Sequence, residues 1–231
     1  MPPSSASQSL ASHQAPRPRP RTKAARRALG LEVYRRLGET FPDAHCELDF
    51  TSPFELLVAT VLSAQTTDKL VNTVTPALFA RYPDAAALAA ARPEDVEEIL
   101  RPTGYFRQKT RSAIGIGVLL TSAHGGEVPR TMAELTALPG VGRKTANVVL
   151  GNAFSVPGLP VDTHVTRVSG RLGLTTSRDP LVIEKDLTAL LPPEIWTMTS
   201  HRLIFLGRRI CHARKPSCGT CPLADLCPSG P

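Results

Sequence analysis

Four cysteines near the C-terminus, Cys211, Cys218, Cys221 and Cys227, are spaced C-x6-C-x2-C-x5-C. Four thiolates within 17 residues can surround one compact centre, and the prolines and Gly219 among them suit a tight loop. Structural zinc sites usually combine two short-spaced pairs of Cys or His. Here only the middle pair is short-spaced, and an iron–sulfur cubane accepts the wider arms. The spacing favours a [4Fe–4S] cluster and leaves zinc open. A disulfide framework fits less well, because nothing in the sequence indicates an oxidising compartment. The fifth cysteine, Cys46, reads as a small buried hydrophobe.

A second group of residues lies in Leu135-Thr-Ala-Leu-Pro-Gly-Val-Gly-Arg-Lys-Thr-Ala-Asn-Val-Val-Leu150. Gly140 and Gly142 let the backbone approach a ligand closely. They also leave the first N–H groups of a helix starting near Arg143 pointing outward, where the helix dipole favours an anion. This pattern describes a helix–hairpin–helix, a sequence-independent clamp on a DNA phosphate; an ordinary corner between two helices is the alternative. Arg143 and Lys144 directly after the hairpin favour the phosphate, and the spacing excludes a P-loop. An amine nucleophile must be neutral, and the first turn of a helix disfavours an ammonium. Lys144 therefore suits Schiff-base chemistry, and equally suits plain phosphate binding.

The third group is Val161-Asp-Thr-His164. Asp162 stands just before a helical run over Val165–Leu172, so its first reading is an N-cap. A carboxylate held by backbone N–H groups stays ionised, which also suits stabilising a developing cation.

The elements that must position these groups read as helices. Ser52-Pro-Phe-Glu55 and Thr131-Met-Ala-Glu134 are capping boxes, Arg92-Pro93 and Asp179-Pro180 look like helix starts, and Gly104 and Gly125-Gly126 look like stops. A helix over Pro53–Ala64 follows the first box. No sustained period-2 run bounded by hairpin turns occurs, so the expected fold class is all-α. No repeat of 20–50 residues is evident. An apolar fraction of 42% suits a packed protein, and no apolar run approaches the ~18 residues of a membrane helix. The N-terminus lacks the apolar stretch of a secretory signal.

The chain carries 27 Lys and Arg against 20 Asp and Glu, a formal charge of +7. Six of the basic residues (Arg17, Arg19, Arg21, Lys23, Arg26, Arg27) fall within residues 1–31, which hold no acid. The rest is nearly balanced at +1. Residues 2–20, rich in Ser, Ala, Gln and Pro, read as a disordered tail; an organelle transit peptide is the alternative, disfavoured by its prolines. No acid intervenes from Arg202 to Ala224, so Arg208, Arg209, Arg214 and Lys215 read as a phosphate-contacting patch, or as a solvated loop.

Together these motifs, with Ser52-Pro-Phe-Glu-Leu-Leu57 and Leu62-Ser-Ala-Gln-Thr-Thr-Asp68, resemble the endonuclease III family of helix–hairpin–helix DNA glycosylases. The likeness runs from about Leu29 to Cys227. A hairpin with lysine, an aspartate eighteen residues on, and this cysteine spacing form a highly specific combination. The resemblance implies two helical domains: a six-helix domain over 46–156 with the hairpin, and a cluster domain from 23–45 plus 157–231, after a basic tail at 1–22. Duplex DNA with damaged pyrimidines or abasic sites would lie in the groove between them, bound by a monomer. The family motifs place one [4Fe–4S] cluster on the four cysteines, make Lys144 the amine that attacks C1′ and Asp162 the carboxylate that assists base loss. Gln65, otherwise an exposed residue at a helix end, would fill the space left by the extruded base.

One residue departs from the family pattern. In Thr103-Gly-Tyr-Phe106 the usual aliphatic wedge is Tyr105, which can wedge into the stack or lie on the opposite base. Rival readings are the adenine-mismatch glycosylase of the same superfamily, which lacks the lysine and carries a further C-terminal domain not expected beyond Pro231, and a pyrimidine-dimer glycosylase. A non-enzymatic DNA-binding protein with the cluster as a staple is the rival of another class. The resemblance places the protein in bacterial cytoplasm, with organelle import through the tail as the alternative.

Overall fold

Local capping decides where most helices begin. The computed structural model describes residues 17–230. Thr22 caps α1 (Lys23–Thr40) by accepting from the Ala25 N–H at 3.1 Å. Ser52 caps α2 (Pro53–Leu62), while Glu55 folds back to accept from the Thr51 N–H at 2.6 Å. Thr67 and Asp84 cap α3 (Asp68–Arg81) and the short α4 (Ala85–Ala89), and α5 (Pro93–Leu100) starts on a proline. A 3-10 turn leads to α6 (Phe106–Ala123). Thr131 caps α7 (Met132–Ala137), and α8 (Arg143–Ala153) follows the hairpin. Asp162 and Asp179 cap α9 (Thr163–Leu172) and α10 (Pro180–Leu190), and α11 (Trp196–Arg209) precedes the cysteine loop. Among the described residues every regular element is helical, so the fold class is all-α.

Two apolar cores form. One joins residues between Leu48 and Leu150, including Leu56, Leu57, Leu78, Leu100, Ile116 and Val149. The other joins Val33, Leu37, Phe41 and Ala44 to residues from Leu159 to Leu223, including Val165, Leu187 and Phe205. α1 thus packs on α10 and α11, far along the chain, whereas α2 packs on α6 and α8.

The structure differs from the sequence reading at four places. The stretch 46–156 holds seven α-helices rather than six, because Asp84 gives the five-residue α4 its own cap. The helix expected to reach Ala64 stops at Leu62, where the Ser63 hydroxyl bonds the Thr60 carbonyl at 2.8 Å and Gln65 turns left-handed at φ 54°. Lys23, Arg26 and Arg27 lie on α1, so half of the N-terminal charge excess belongs to a folded helix. Residues 17–22 are ordered coil: Arg19 donates to the Gly170 carbonyl at 3.1 Å. The rest of the expected tail, 1–16, lies outside the described residues, as does most of the transit-peptide alternative. No helix is long and apolar enough to cross a membrane among the described residues.

Candidate active site and nucleic-acid groove

The hairpin between α7 and α8 is closed by the Val141 N–H donating to the Leu138 carbonyl at 3.1 Å. Gly140 sits at φ 76°, a backbone conformation favoured by glycine. Gly142 is the N-cap of α8 and offers no side-chain cap, so the first N–H groups of α8 remain free for a ligand. Arg143 and Lys144 are both exposed there. The structure commits Arg143 elsewhere, however: its guanidinium forms a two-pronged pair with Glu184 of α10, at 2.8 and 2.9 Å. That pair holds its positive charge firmly and ties the hairpin to the second domain. A phosphate would have to compete with Glu184 for Arg143.

Asp162 caps α9 with one oxygen, accepting from the Val165 N–H at 2.8 Å, and is half-buried. Lys144 and Asp162, eighteen residues apart, line the same wall. A recess of about 80 Å³ between the domains is bordered by Lys144, Asp162, Asp68 and His201. It shares Lys144, Asp162 and Arg208 with a cavity of about 880 Å³ lined also by Arg19, His164 and Arg178. His164 and Arg208 also border a neighbouring cavity of about 920 Å³ with Gln65, Thr66 and Asp68. Linked by these shared residues, the three make up a candidate groove that Gln65, Lys144 and Asp162 help to line.

Asp68, which the sequence reading did not single out as a site residue, stands on the wall of this groove. Burial pushes its carboxyl up, an effect Lys144 and His164 oppose and Asp162 reinforces. It accepts from Arg208 at 2.7 Å, and Arg208 also pairs with Glu47. The only sequence signal for Asp68 was its place at the end of the Leu62–Asp68 motif. Arg208 is therefore held by acids, and Arg209 lies over the Phe205 ring at 4.1 Å. Arg214 and Lys215 remain exposed on the cysteine loop, Lys215 with φ 51°. Arg208 and Arg209 are exposed as well but pair with Glu47, Asp68 and Asp43, whereas Arg214 and Lys215 form no ion pair among the described residues.

Gln65 and Tyr105 are exposed on two separate loops, and Tyr105, at 67%, is the most exposed large hydrophobic side chain among the described residues. Both adopt left-handed backbone, φ 54° and φ 47°. For side-chain-bearing residues this conformation is strained and persists where the surroundings enforce it.

The four cysteines surround a cavity of about 150 Å³ closed by Arg171, Ile210 and Pro216. All are free and half-buried. Burial pushes the Cys221 and Cys227 thiols up, and a bound cation favours their thiolate forms. Four thiols around one cavity are a donor set that suits an iron–sulfur group. Two arginines of α9, absent from the sequence reading, shape this loop. Arg171 donates to the Cys211 Sγ at 3.2 Å and to the carbonyls of His212 and Ala213 at 2.7 and 2.9 Å. Arg167 donates to the carbonyls of Cys211 and Gly207 at 3.1 and 2.9 Å.

Residues 58–193 match the family profile described as HhH-GPD superfamily base excision DNA repair protein. Residues 211–227 match the iron–sulfur binding domain of endonuclease III, from the first of the four cysteines to the last. The chain is 50% identical to endonuclease III of Synechocystis sp. over 210 residues, covering 90% of this chain and 96% of the relative. It is 43% identical to endonuclease III of Escherichia coli K12, covering 87% and 95%. Among solved structures, a non-covalent endonuclease III–DNA complex superposes with TM-score 0.83 at 47% identity, covering 91% of this chain and 97% of the other. A trapped endonuclease III–DNA covalent intermediate superposes equally, TM-score 0.83, covering 91% and 98%. A thermostable thymine-DNA glycosylase, 22% identical with TM-score 0.76, shares the fold.

Proposed function

The chain belongs to the endonuclease III family of helix–hairpin–helix base-excision repair proteins, and we propose that it removes oxidised pyrimidines from duplex DNA and then cleaves the abasic site as a lyase. The observation that carries this reading is the pairing of an exposed Lys144 with the half-buried Asp162 on one groove wall. The free N–H groups at the start of α8 hold a DNA phosphate beside the lesion. The damaged nucleotide leaves the stack and enters the groove, Gln65 fills the gap it leaves, and Tyr105 lies against the opposite strand.

Lys144 Nζ, having given up a proton, attacks C1′ of the extruded nucleotide and the C1′–N bond breaks, the base leaving with its electron pair. Asp162 stabilises the positive charge that develops on the sugar and assists the loss of the proton from Lys144. The sugar ring then opens: the C1′–O4′ bond breaks, O4′ takes up a proton, and the Nζ lone pair forms a protonated imine with C1′ that acidifies the C2′ proton. Removing that proton expels the 3′ phosphate by β-elimination, and water then frees Lys144. The iron–sulfur group, which we assign as one [4Fe–4S] cluster on Cys211, Cys218, Cys221 and Cys227, supplies the shape of a loop that presents Arg214 and Lys215 to phosphates. Both walls of the groove come from one chain, which supports action as a monomer, and we assign it to the bacterial cytoplasm.

Borohydride trapping on a duplex with an oxidised pyrimidine tests this function. The wild type is expected to form a covalent adduct that Lys144→Ala does not. No adduct in either protein, or an adduct that persists in Lys144→Ala, overturns the assignment.

A further inference from the structure

One buried cation ties together the two loops that carry Gln65 and Tyr105. Lys109, on the first turns of α6, is only 4% exposed. Its Nζ donates to Thr66 Oγ1 at 2.5 Å and to the Thr103 carbonyl at 2.9 Å. Thr66 Oγ1 itself donates to the same Thr103 carbonyl at 2.7 Å, closing a triangle between the loops. Thr66 directly follows Gln65, and Thr103 stands two residues before Tyr105.

Nothing in the local packing asks for an ammonium here. Both acceptors are neutral, and burial pushes the amine down from its ordinary range. A buried cation without a carboxylate partner costs folding free energy that an apolar side chain of similar length would avoid. The charge does something an apolar chain cannot: it holds two acceptors from separate loops at hydrogen-bond distance at once. Those loops contain the left-handed backbones of Gln65 and Tyr105, conformations that need an enforcing contact to persist. Gly104, at φ 66° with open space where a Cβ would stand, adds no side-chain packing beside Tyr105.

We propose that Lys109 is a positioning residue, with the Thr66 hydroxyl as its joint, that keeps the Gln65 and Tyr105 loops in register so that both side chains enter an opened base pair together. This rests on the assignment of Gln65 and Tyr105 to the duplex made above. The device matters only where a base pair must be parted and an opposing base managed. It is dispensable where the lesion faces no base.

The test compares single-turnover excision of an oxidised pyrimidine opposite a purine with excision of the same lesion opposite an abasic-site analogue. Lys109→Met and Thr66→Val remove the bridge, and Thr66→Ser keeps the hydroxyl. On the paired duplex the first two are expected to lose about tenfold, the scale of one lost hydrogen bond to a charged group. On the unpaired lesion they stay within about twofold of wild type by the same reasoning, and Thr66→Ser matches wild type on both. Thr66→Val is close to isosteric and only partly buried, so it carries the test even where Lys109→Met folds poorly. Equal losses on both substrates, no loss on either, or a Thr66→Ser as impaired as Thr66→Val overturns the bridge. A wild type inactive on both substrates instead overturns the glycosylase assignment.

Discussion

The two hairpin glycines do different work, although the sequence presents them alike. Gly140 has φ 76°, and a Cβ there would lie 2.8 Å from Ser112 Oγ and 3.3 Å from Val61. Gly140→Ala therefore meets both backbone strain and a neighbour that must move, and is expected to lower stability by about 1–3 kcal/mol. Gly142 has an ordinary φ of −93° and nothing within 4 Å of where a Cβ would stand. Gly142→Ala costs folding at most the ~1 kcal/mol by which alanine is a poorer N-cap. Its effect belongs on DNA affinity, because the methyl group covers the approach to the free N–H groups of α8. Denaturant unfolding and a DNA titration separate the two: Gly140→Ala moves the first measurement, Gly142→Ala mainly the second. Equal losses of stability would mean that Gly142 serves the turn and not the ligand.

At the scale of elements, α9 joins the two halves of the chemistry. Its N-terminus carries Asp162, and four residues apart on one face Arg167 and Arg171 hold the cysteine loop. Arg171→Met keeps the side chain's length and removes its three bonds to the loop. Iron loss to a chelator is expected to accelerate, and stability to fall by about 1–3 kcal/mol, the range for hydrogen bonds lost from a charged donor to part-buried and exposed acceptors. Unchanged iron retention would make the loop self-supporting. The sequence disclosed α9 and its cap because a cap is a local event within four residues, as it also did at Ser52, Thr131 and Asp179. It did not disclose what Arg171 holds, since the loop lies about forty residues away and any exposed helix arginine looks the same. Lys109 was hidden for the same reason, as was the pairing of Arg143 with Glu184, which is equally distant in sequence. The proposed catalytic pair was open to a reading from sequence because Lys144 and Asp162 each sit at a helix start, where residue type and position speak together. Their shared wall needed the packing of α8 on α11 and of α11 on α9.

Over the whole molecule, a net charge of +7 suggests a general attraction to DNA, and the structure spends that charge unevenly. Arg143 and Arg208 are held by Glu184, Asp68 and Glu47, so the groove's own cations are partly neutralised. The proposed [4Fe–4S] cluster, oxidised and held by four thiolates, would add a formal charge of about −2 to the body. Affinity must then depend on a few cations placed where phosphates pass. Arg19 is one of them: it is anchored on the Gly170 carbonyl and lines the same cavity as Lys144 and Asp162. Arg17, two residues earlier, is not among the residues that line that cavity. Arg36 holds the Asp225 carboxyl below its usual range, and Arg17 adds to that effect. If Arg19 meets a phosphate, Arg19→Ala reduces the slope of log affinity against log salt by about 0.9, the release of one counterion. Arg17→Ala, outside that cavity, leaves the slope unchanged. Equal slopes for wild type and Arg19→Ala would mean that the segment only braces α9, and that the extra N-terminal charge does not reach the DNA bound in the groove.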